Sequence, residues 1–308
     1  MTTTPDTWSK YMRLHRLTLT AATAVATLAL AACGGGSTEP GGGAPPPPVA
    51  ESPTFEAGTT MAELSEAGSI TIGTKFDQPL FGLRTLDGEL TGFDTEIGRI
   101  IAGGLGIAPE DINWVEAPSA QREALIERGE VDMVVATYTI NEERAKRVSF
   151  AGPYYEAGQT LMVRSDNTAI TGPESLKGSG AKVCTVTGST PSENIRPFID
   201  ESQLVLFGTY SECRDSLSNG QVDVVTTDNV ILLGYVSESD GAFKLVGEPF
   251  TEEPYGIGIT KGDVAFCEFI NKQLTEAAES GAYAAAWEAT AGVASESTPT
   301  LPELAPCS

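Results

Sequence analysis

The apolar positions of this chain change period repeatedly, from two residues to about 3.6 and back. Residues 69–75 (Ser-Ile-Thr-Ile-Gly-Thr-Lys) alternate apolar and polar side chains, as a half-buried strand does. Residues 94–105 set Ile97, Ile100, Ile101 and Leu105 at helical spacing. The pattern then predicts a strand over 112–115, a helix over 121–128 stopped by Gly129, and a buried strand over 131–136. Further strands are predicted over 182–186, 203–207, 222–227 and 243–246, with helices between them, one of them over 229–236. A long last helix is predicted over 263–290, with Phe266, Phe269, Ile270, Leu274, Ala277 and Trp287 near one stripe. Strands that alternate with helices define an α/β fold.

One stretch repeats. Gly129-Glu-Val131-Asp132-Met-Val134 returns as Gly220-Gln-Val222-Asp223-Val-Val225, each time after a predicted helix and at the start of a predicted strand. Both strands end in polar residues: Thr137, Tyr138 and Thr139 in one, Thr226, Thr227 and Asp228 in the other. The echo points to two similar lobes. Ligands in open α/β sheets bind beyond the carboxyl ends of strands, so two facing lobes bring both polar ends into one cleft.

The N-terminus does not belong to this pattern. Lys10, Arg13 and Arg16 precede an uncharged apolar run over 17–32 that ends Leu30-Ala31-Ala32-Cys33. A charged start, a short apolar core and small residues before a cut describe a secretory signal over 1–32. The run falls short of the ~20 residues a spanning helix needs. Cys33 after small residues resembles the bacterial lipobox, which implies lipidation of Cys33 and an exported chain anchored to the outer face of the cell membrane. Residues 33–60 are rich in Gly and then Pro, with four prolines from Pro45 to Pro48, and are expected to form a tether.

Composition narrows the partners. There are 19 basic against 42 acidic residues, a net charge of −23, and loss of the signal leaves 16 against 41. No basic stripe exists to neutralise phosphates, so nucleic acid is not expected as a partner. His15 is the only histidine, and it lies in the signal. The mature chain therefore forms no Ser-His-Asp or Cys-His arrangement and no histidine metal site. Four cysteines remain beyond Cys33, and an even number in an exported protein suggests two disulfides. Three pairings are open. Proximity in sequence favours Cys184 with Cys213 and Cys267 with Cys307, the second pinning a tail over 293–308.

Four segments carry a resemblance. They are Gly92-Phe93-Asp94-Thr95-Glu96-Ile97, the run Ala136-Thr137-Tyr138-Thr139-Ile140-Asn141-Glu142-Glu143-Arg144, Phe150-Ala-Gly-Pro-Tyr154-Tyr155, and Gly188-Ser189-Thr190 with Thr227-Asp228. In this order, over about 69–287, they resemble the polar-amino-acid solute-binding proteins of ABC importers. The resemblance implies a two-lobed, type II periplasmic-binding fold, each lobe a β-sheet flanked by helices. The chain crosses between lobes twice: lobe 1 over 61–160, lobe 2 over 161–252, and a return to lobe 1 over 253–292. It implies binding without catalysis, a small amino acid as ligand, membrane permease subunits as partners, and neither cofactor nor metal.

The resemblance assigns Arg144, assisted by Thr139, to the ligand's α-carboxylate, and Asp228 to its α-ammonium. An Arg fork can grip a carboxylate through two parallel hydrogen bonds. Gly188, Ser189 and Thr190 open a helix whose backbone N–H groups suit an anion, and Thr137 and Tyr138 complete the polar strand end. Phe76 and Phe81 flank the first strand, where an aromatic ring either stacks on a ligand or packs in the core. Asp94 and Glu96 are read as structural, Trp114 and Trp287 as core. Lys75 ends the first strand and bears three donors and no acceptor when charged. It suits a side-chain carboxylate, so glutamate is expected ahead of aspartate, with glutamine as the alternative. If Lys75 turns to the rim, Arg84 or Arg122 takes its place. A carboxylate-dependent dehydratase and a ligand sensor are the rival readings on the same fold, the first needing a further acid near the ligand.

Overall fold

A computed structural model describes residues 47–295 and 297–308. The expected signal over 1–32, Cys33 and the tether up to residue 46 lie outside the described residues. The chain begins with helix α1 (Thr60–Ala67) and strand β1 (Ile70–Thr74). A small antiparallel sheet follows, β2 (Asp77–Gln78), β3 (Gly82–Arg84) and β4 (Leu90–Thr91). Then come α2 (Phe93–Gly104), β5 (Ile112–Glu116), α3 (Arg122–Glu127), β6 (Met133–Val134), α4 (Glu142–Ala145) and β7 (Ser149–Ala157). The middle of the chain runs β8 (Gln159–Arg164), β9 (Val183–Val186), α5 (Thr190–Asn194), β10 (Leu204–Phe207), α6 (Tyr210–Ser218), β11 (Val224–Asp228), α7 (Asn229–Ser237) and β12 (Phe243–Val246). It closes with β13 (Glu253–Ile259), α8 (Val264–Ser280) and α9 (Ala282–Glu288).

The strands form two five-stranded sheets of one topology. The first is ordered β5-β1-β6-β13-β7, the second β10-β9-β11-β8-β12. In each, three parallel strands are followed by an antiparallel one that brings the chain in from the other lobe. The repeated sequence has one geometry in both lobes. Gly129 and Gly220 end the helices at φ 63° and 71°, a left-handed conformation that suits glycine. Asp132 then exchanges two bonds with Thr71: its carboxylate accepts Thr71 N–H at 2.7 Å and its own N–H donates to Thr71 O at 2.9 Å. Asp223 does the same with Lys182, at 2.8 and 2.9 Å. Each Asp locks the entry of one parallel strand against the next, which is why the pattern recurs.

The chain crosses between the sheets at Gly158, the single residue between β7 and β8, and again between β12 and β13. The two crossings touch. A Cβ on Gly158 would lie 2.7 Å from Thr251 O and from Pro249 Cβ. Gln159 N donates to Thr251 Oγ1 at 3.0 Å and Phe250 N to Gln159 O at 3.0 Å. The connectors thus form one narrow hinge.

Three sequence expectations change. The long last helix is two helices, because Gly281 stands at φ 84° and ends α8 before α9 begins. Part of the segment expected as tether packs on the fold: Ala50 N donates to Gly103 O at 2.9 Å, and Phe55 packs edge-on against Phe269 with centroids 5.6 Å apart. A backbone hydrogen bond to α2 and apolar contact with α8 hold that segment down. Strands β7, β8 and β13 have no counterpart among the expected strands, and these are the strands that carry the crossings. Both disulfides of the favoured pairing form, Cys184–Cys213 joining α6 to β9 and Cys267–Cys307 joining the C-terminal tail to α8. The tail lies along the sheet's edge strand β7, where Ala305 N donates to Gly152 O at 2.7 Å. An edge strand with unpaired backbone groups invites association, and the tail covers part of it.

Candidate functional site

The carboxyl ends of the parallel strands face one another across the cleft. A chamber there is lined from the first lobe by Ser119, Arg122, Thr137, Thr139 and Arg144, and from the second by Ser189, Thr190, Pro191, Tyr210, Thr227, Asp228 and Ile231. Its volume is about 10 Å³, and that of the vestibule outside Arg144 and Thr190 about 610 Å³. The chamber in this closed form admits about one water. As it stands the chamber is too small for an amino acid.

Local structure explains which expected residues reach the chamber. After β6 the chain bends at Thr137, so that Thr137 and Thr139 line the cleft while Tyr138 between them is buried. Tyr138 is fully buried and donates to Glu123 Oε1 at 2.7 Å. Its ring is a shelf beneath two guanidinium groups, Arg122 at 4.1 Å and Arg144 at 5.1 Å from the centroid. Tyr138 therefore supports the site without lining it. Phe81 is likewise a core residue, fully buried among Phe93, Tyr155, Tyr255 and Trp287. Phe76 is half-buried, lies outside the chamber lining, and carries the Arg84 guanidinium at 4.0 Å from its ring.

Thr137 adopts φ 44°, strained for a β-branched residue. Asp94 holds it there: Oδ2 accepts Thr137 N–H at 2.8 Å and Oδ1 accepts the Tyr154 hydroxyl at 2.6 Å. The Gly92-Phe93-Asp94 segment thus has a physical reason. Gly92 stands at φ 124° and a Cβ there would meet Phe81 C and O at 2.3 Å, Phe93 fills the core, and Asp94 braces the strand end.

The charges of the site are buried. Arg144 spans the cleft, donating from Nη1 to Thr139 O at 2.6 Å and from Nη2 to Gly188 O at 3.3 Å, with Nε 3.6 Å from Glu123 Oε1. Its pKa falls to about 10 because burial and then the Arg122 charge disfavour the cation. Arg122 opens α3 and donates to Ala136 O at 3.0 Å; its Nε is buried without a partner. Lys75 lies 4 % exposed just behind the chamber, and its ammonium donates to Ser119 Oγ at 2.8 Å. Burial first and the Arg122 charge second push its pKa down to about 7. Among the described residues neither Lys75 nor Arg122 has a carboxylate within salt-bridge distance. On the facing lobe, Asp228 Oδ2 accepts the Tyr255 hydroxyl at 2.6 Å while Oδ1 is buried without a partner, as is Thr227 Oγ1. Burial and then the Glu253 charge raise the Asp228 pKa to about 7.

Gly188 stands at φ 77° where the lobes meet, and a Cβ there would lie 2.7 Å from Ala120 Cα. Ser189 caps α5, accepting Ser192 N–H at 3.2 Å. Sequence reading places Arg122 only as a fallback and omits Ser119, Tyr210 and Glu253. Arg122 and Ser119 sit in a loop and first turn after β5 with no pattern of their own, and their role shows only when the lobes are brought together.

Two opposed, buried, incompletely paired charges between two lobes of one topology are the features that the comparisons bear on. The chain matches the bacterial extracellular solute-binding proteins, family 3, over residues 70–289. It belongs to that family. Among relatives, the glutamate-binding protein GluB of Corynebacterium efficiens is 40% identical over 277 residues, 86% of this chain and 87% of that one. The glutamine-binding protein GlnH of an ABC transporter in Bacillus subtilis is 40% identical over 225 residues, 73% of this chain and 81% of that one. An ancestral arginine-binding protein solved with glutamine bound is 36% identical with a TM-score of 0.67, over 72% of this chain and 96% of that one. This family 3 chain shares their two-lobed fold, and its relatives are named as binding proteins.

Proposed function

We propose that this protein binds glutamate between its lobes and delivers it to the membrane permease of an ABC importer, without chemical change. The observation that carries the choice of ligand is the pair of buried cations, Lys75 and Arg122, that have no carboxylate partner beside a chamber already furnished with Arg144 and Asp228. An uncompensated buried charge is costly, and an acidic side chain compensates it. In this reading Arg144 meets the α-carboxylate, Asp228 Oδ1 the α-ammonium, and Lys75 with Arg122 the side-chain carboxylate. Membrane attachment through Cys33 is part of the same proposal. One observation favours glutamine as a second reading: with a pKa of about 7, Lys75 is partly a neutral amine, whose lone pair accepts an amide N–H.

Titration calorimetry with glutamate, aspartate, glutamine and asparagine decides between them. Wild type is expected to prefer the acids, and Lys75→Asp to lose that preference. Tighter binding of glutamine than glutamate by wild type at neutral pH overturns the acidic assignment.

A further inference from the structure

We infer that Glu253 is a positioning residue of the cleft: it takes the hydroxyl protons of Thr139 and Thr190, leaves both hydroxyls as acceptors, and so makes the closed chamber select a ligand bearing an ammonium group. This rests on the reading that the cleft binds an amino acid. Glu253 begins β13, at the end of the second crossing, and is 1 % exposed. Its Oε2 accepts from Thr139 Oγ1 at 2.7 Å, in the first lobe, and from Thr190 Oγ1 at 2.7 Å, in the second. Its Oε1 accepts from Asn194 Nδ2 at 2.9 Å and from Thr251 Oγ1 at 3.0 Å.

The proton count fixes the direction of these bonds. A carboxylate has no proton to give, and a hydroxyl has one. Thr139 and Thr190 both reach Glu253 at 2.7 Å, nearer than the 3.3 Å between their own oxygens, so each points its proton at Glu253 and turns lone pairs to anything else in the chamber they line. A ligand carboxylate gains nothing from such a wall. An ammonium has three donors, and the chamber offers Thr139 Oγ1, Thr190 Oγ1 and, when Asp228 is ionised, its unpartnered Oδ1 as acceptors. The Thr139 hydroxyl is thereby removed from the α-carboxylate role that sequence resemblance gives it. The arrangement exists only when the lobes are closed, because its donors come from both lobes and the connector.

Calorimetry with glutamate and glutarate, which is glutamate without its ammonium, tests this on wild type, Glu253→Gln, Thr190→Ser and Thr190→Val. A Gln at 253 brings donors of its own and frees at least one hydroxyl to turn its proton toward the ligand. Glu253→Gln is expected to weaken glutamate by about tenfold or more and to narrow the glutamate-to-glutarate ratio. Thr190→Ser should keep the wild-type ratio, while Thr190→Val narrows it; this pair reads the inference even if Glu253→Gln misfolds. Equal weakening of both ligands in Glu253→Gln, or a ratio untouched by Thr190→Val, overturns the inference. If wild type binds glutamine rather than glutamate, the acidic reading alone fails, and the same comparison is made between glutamine and its deamino analogue. A wild type that binds no amino acid overturns both.

Discussion

At the scale of residues, the site is a set of ionisable groups whose burial moves them toward neutrality at physiological pH. Lys75 lies at about 7, below its ordinary value, and Asp228 at about 7, above its own. The proposed glutamate mode needs both charged. Above pH 7 the free protein has lost the Lys75 proton, so binding must take one up and affinity falls as pH rises. Below pH 7 Asp228 is protonated, so binding must release that proton and affinity falls as pH falls. The affinity for glutamate is therefore expected to peak near pH 7 and to drop by up to about tenfold per pH unit on either side. Calorimetry at pH 5.5 to 8.5, in buffers of different ionisation enthalpy, reads both affinity and proton exchange. Lys75→Arg, which stays charged, should flatten the alkaline side only. Glutamine, met by a neutral amine, should lose affinity on the acid side alone. An alkaline limb that persists in Lys75→Arg would show that another group titrates there.

Thr137, Thr139 and Asp228 stand at strand ends, which face the cleft in open α/β sheets, and the family resemblance adds Arg144, Ser189 and Thr190; all six line the chamber. Tyr138, expected with its neighbours at the polar strand end, is buried away from the chamber lining, where the chain bends at Thr137. Glu253 is invisible for a different reason. It is an acidic residue in a connector beside Glu252, and nothing in that local pattern reveals that both lobes close over it.

At the scale of elements, the parallel strands and their helices read clearly because each carries one period and ends in a recognisable stop. The antiparallel strands β7, β8 and β13 do not. Pro153 interrupts β7, Pro254 sits in β13, and β8 is buried nearly throughout, so none shows clean alternation. Closure also rests on an element contact that the sequence hides. Asp77, in β2 of the first lobe, accepts the N–H groups of Tyr210 at 2.9 Å and Ser211 at 3.1 Å, at the start of α6 in the second lobe. The Tyr235 hydroxyl donates to Asp77 O at 2.6 Å. An acceptor at a helix N-terminus contributes about 1 kcal/mol, and here it does so only when the lobes meet. Asp77→Ala is thus expected to weaken ligand binding by about fivefold. The thermal midpoint of the ligand-free protein should fall little, provided that it opens before it unfolds. Calorimetry and melting curves on the same variant check this. An unchanged affinity would mean that α6 finds another cap.

At the scale of the whole molecule, a net charge of −23 surrounds a cleft proposed to take an anion. The two fields act at different ranges. Lys75, Arg122 and Arg144 act on a ligand that has reached the cleft, where burial limits screening by salt. The many surface carboxylates act on a ligand still in solution, where the Debye length grows from about 8 Å at physiological salt to about 30 Å at 0.01 M. At low salt, approaching glutamate feels repulsion from much of the surface; at physiological salt it feels little until the local cations take over. The association rate of glutamate is expected to rise severalfold as salt increases from about 0.01 to 0.15 M, the reverse of ordinary electrostatic steering. The dissociation rate should change little, because the pairs it breaks are buried. Glutamine, with no net charge, should associate at a rate nearly independent of salt. Stopped-flow fluorescence of the intrinsic tryptophans at several salt concentrations separates these rates. If glutamate associates faster at low salt, the cations of the cleft dominate the field outside it, and the surface charge does not govern the ligand's approach.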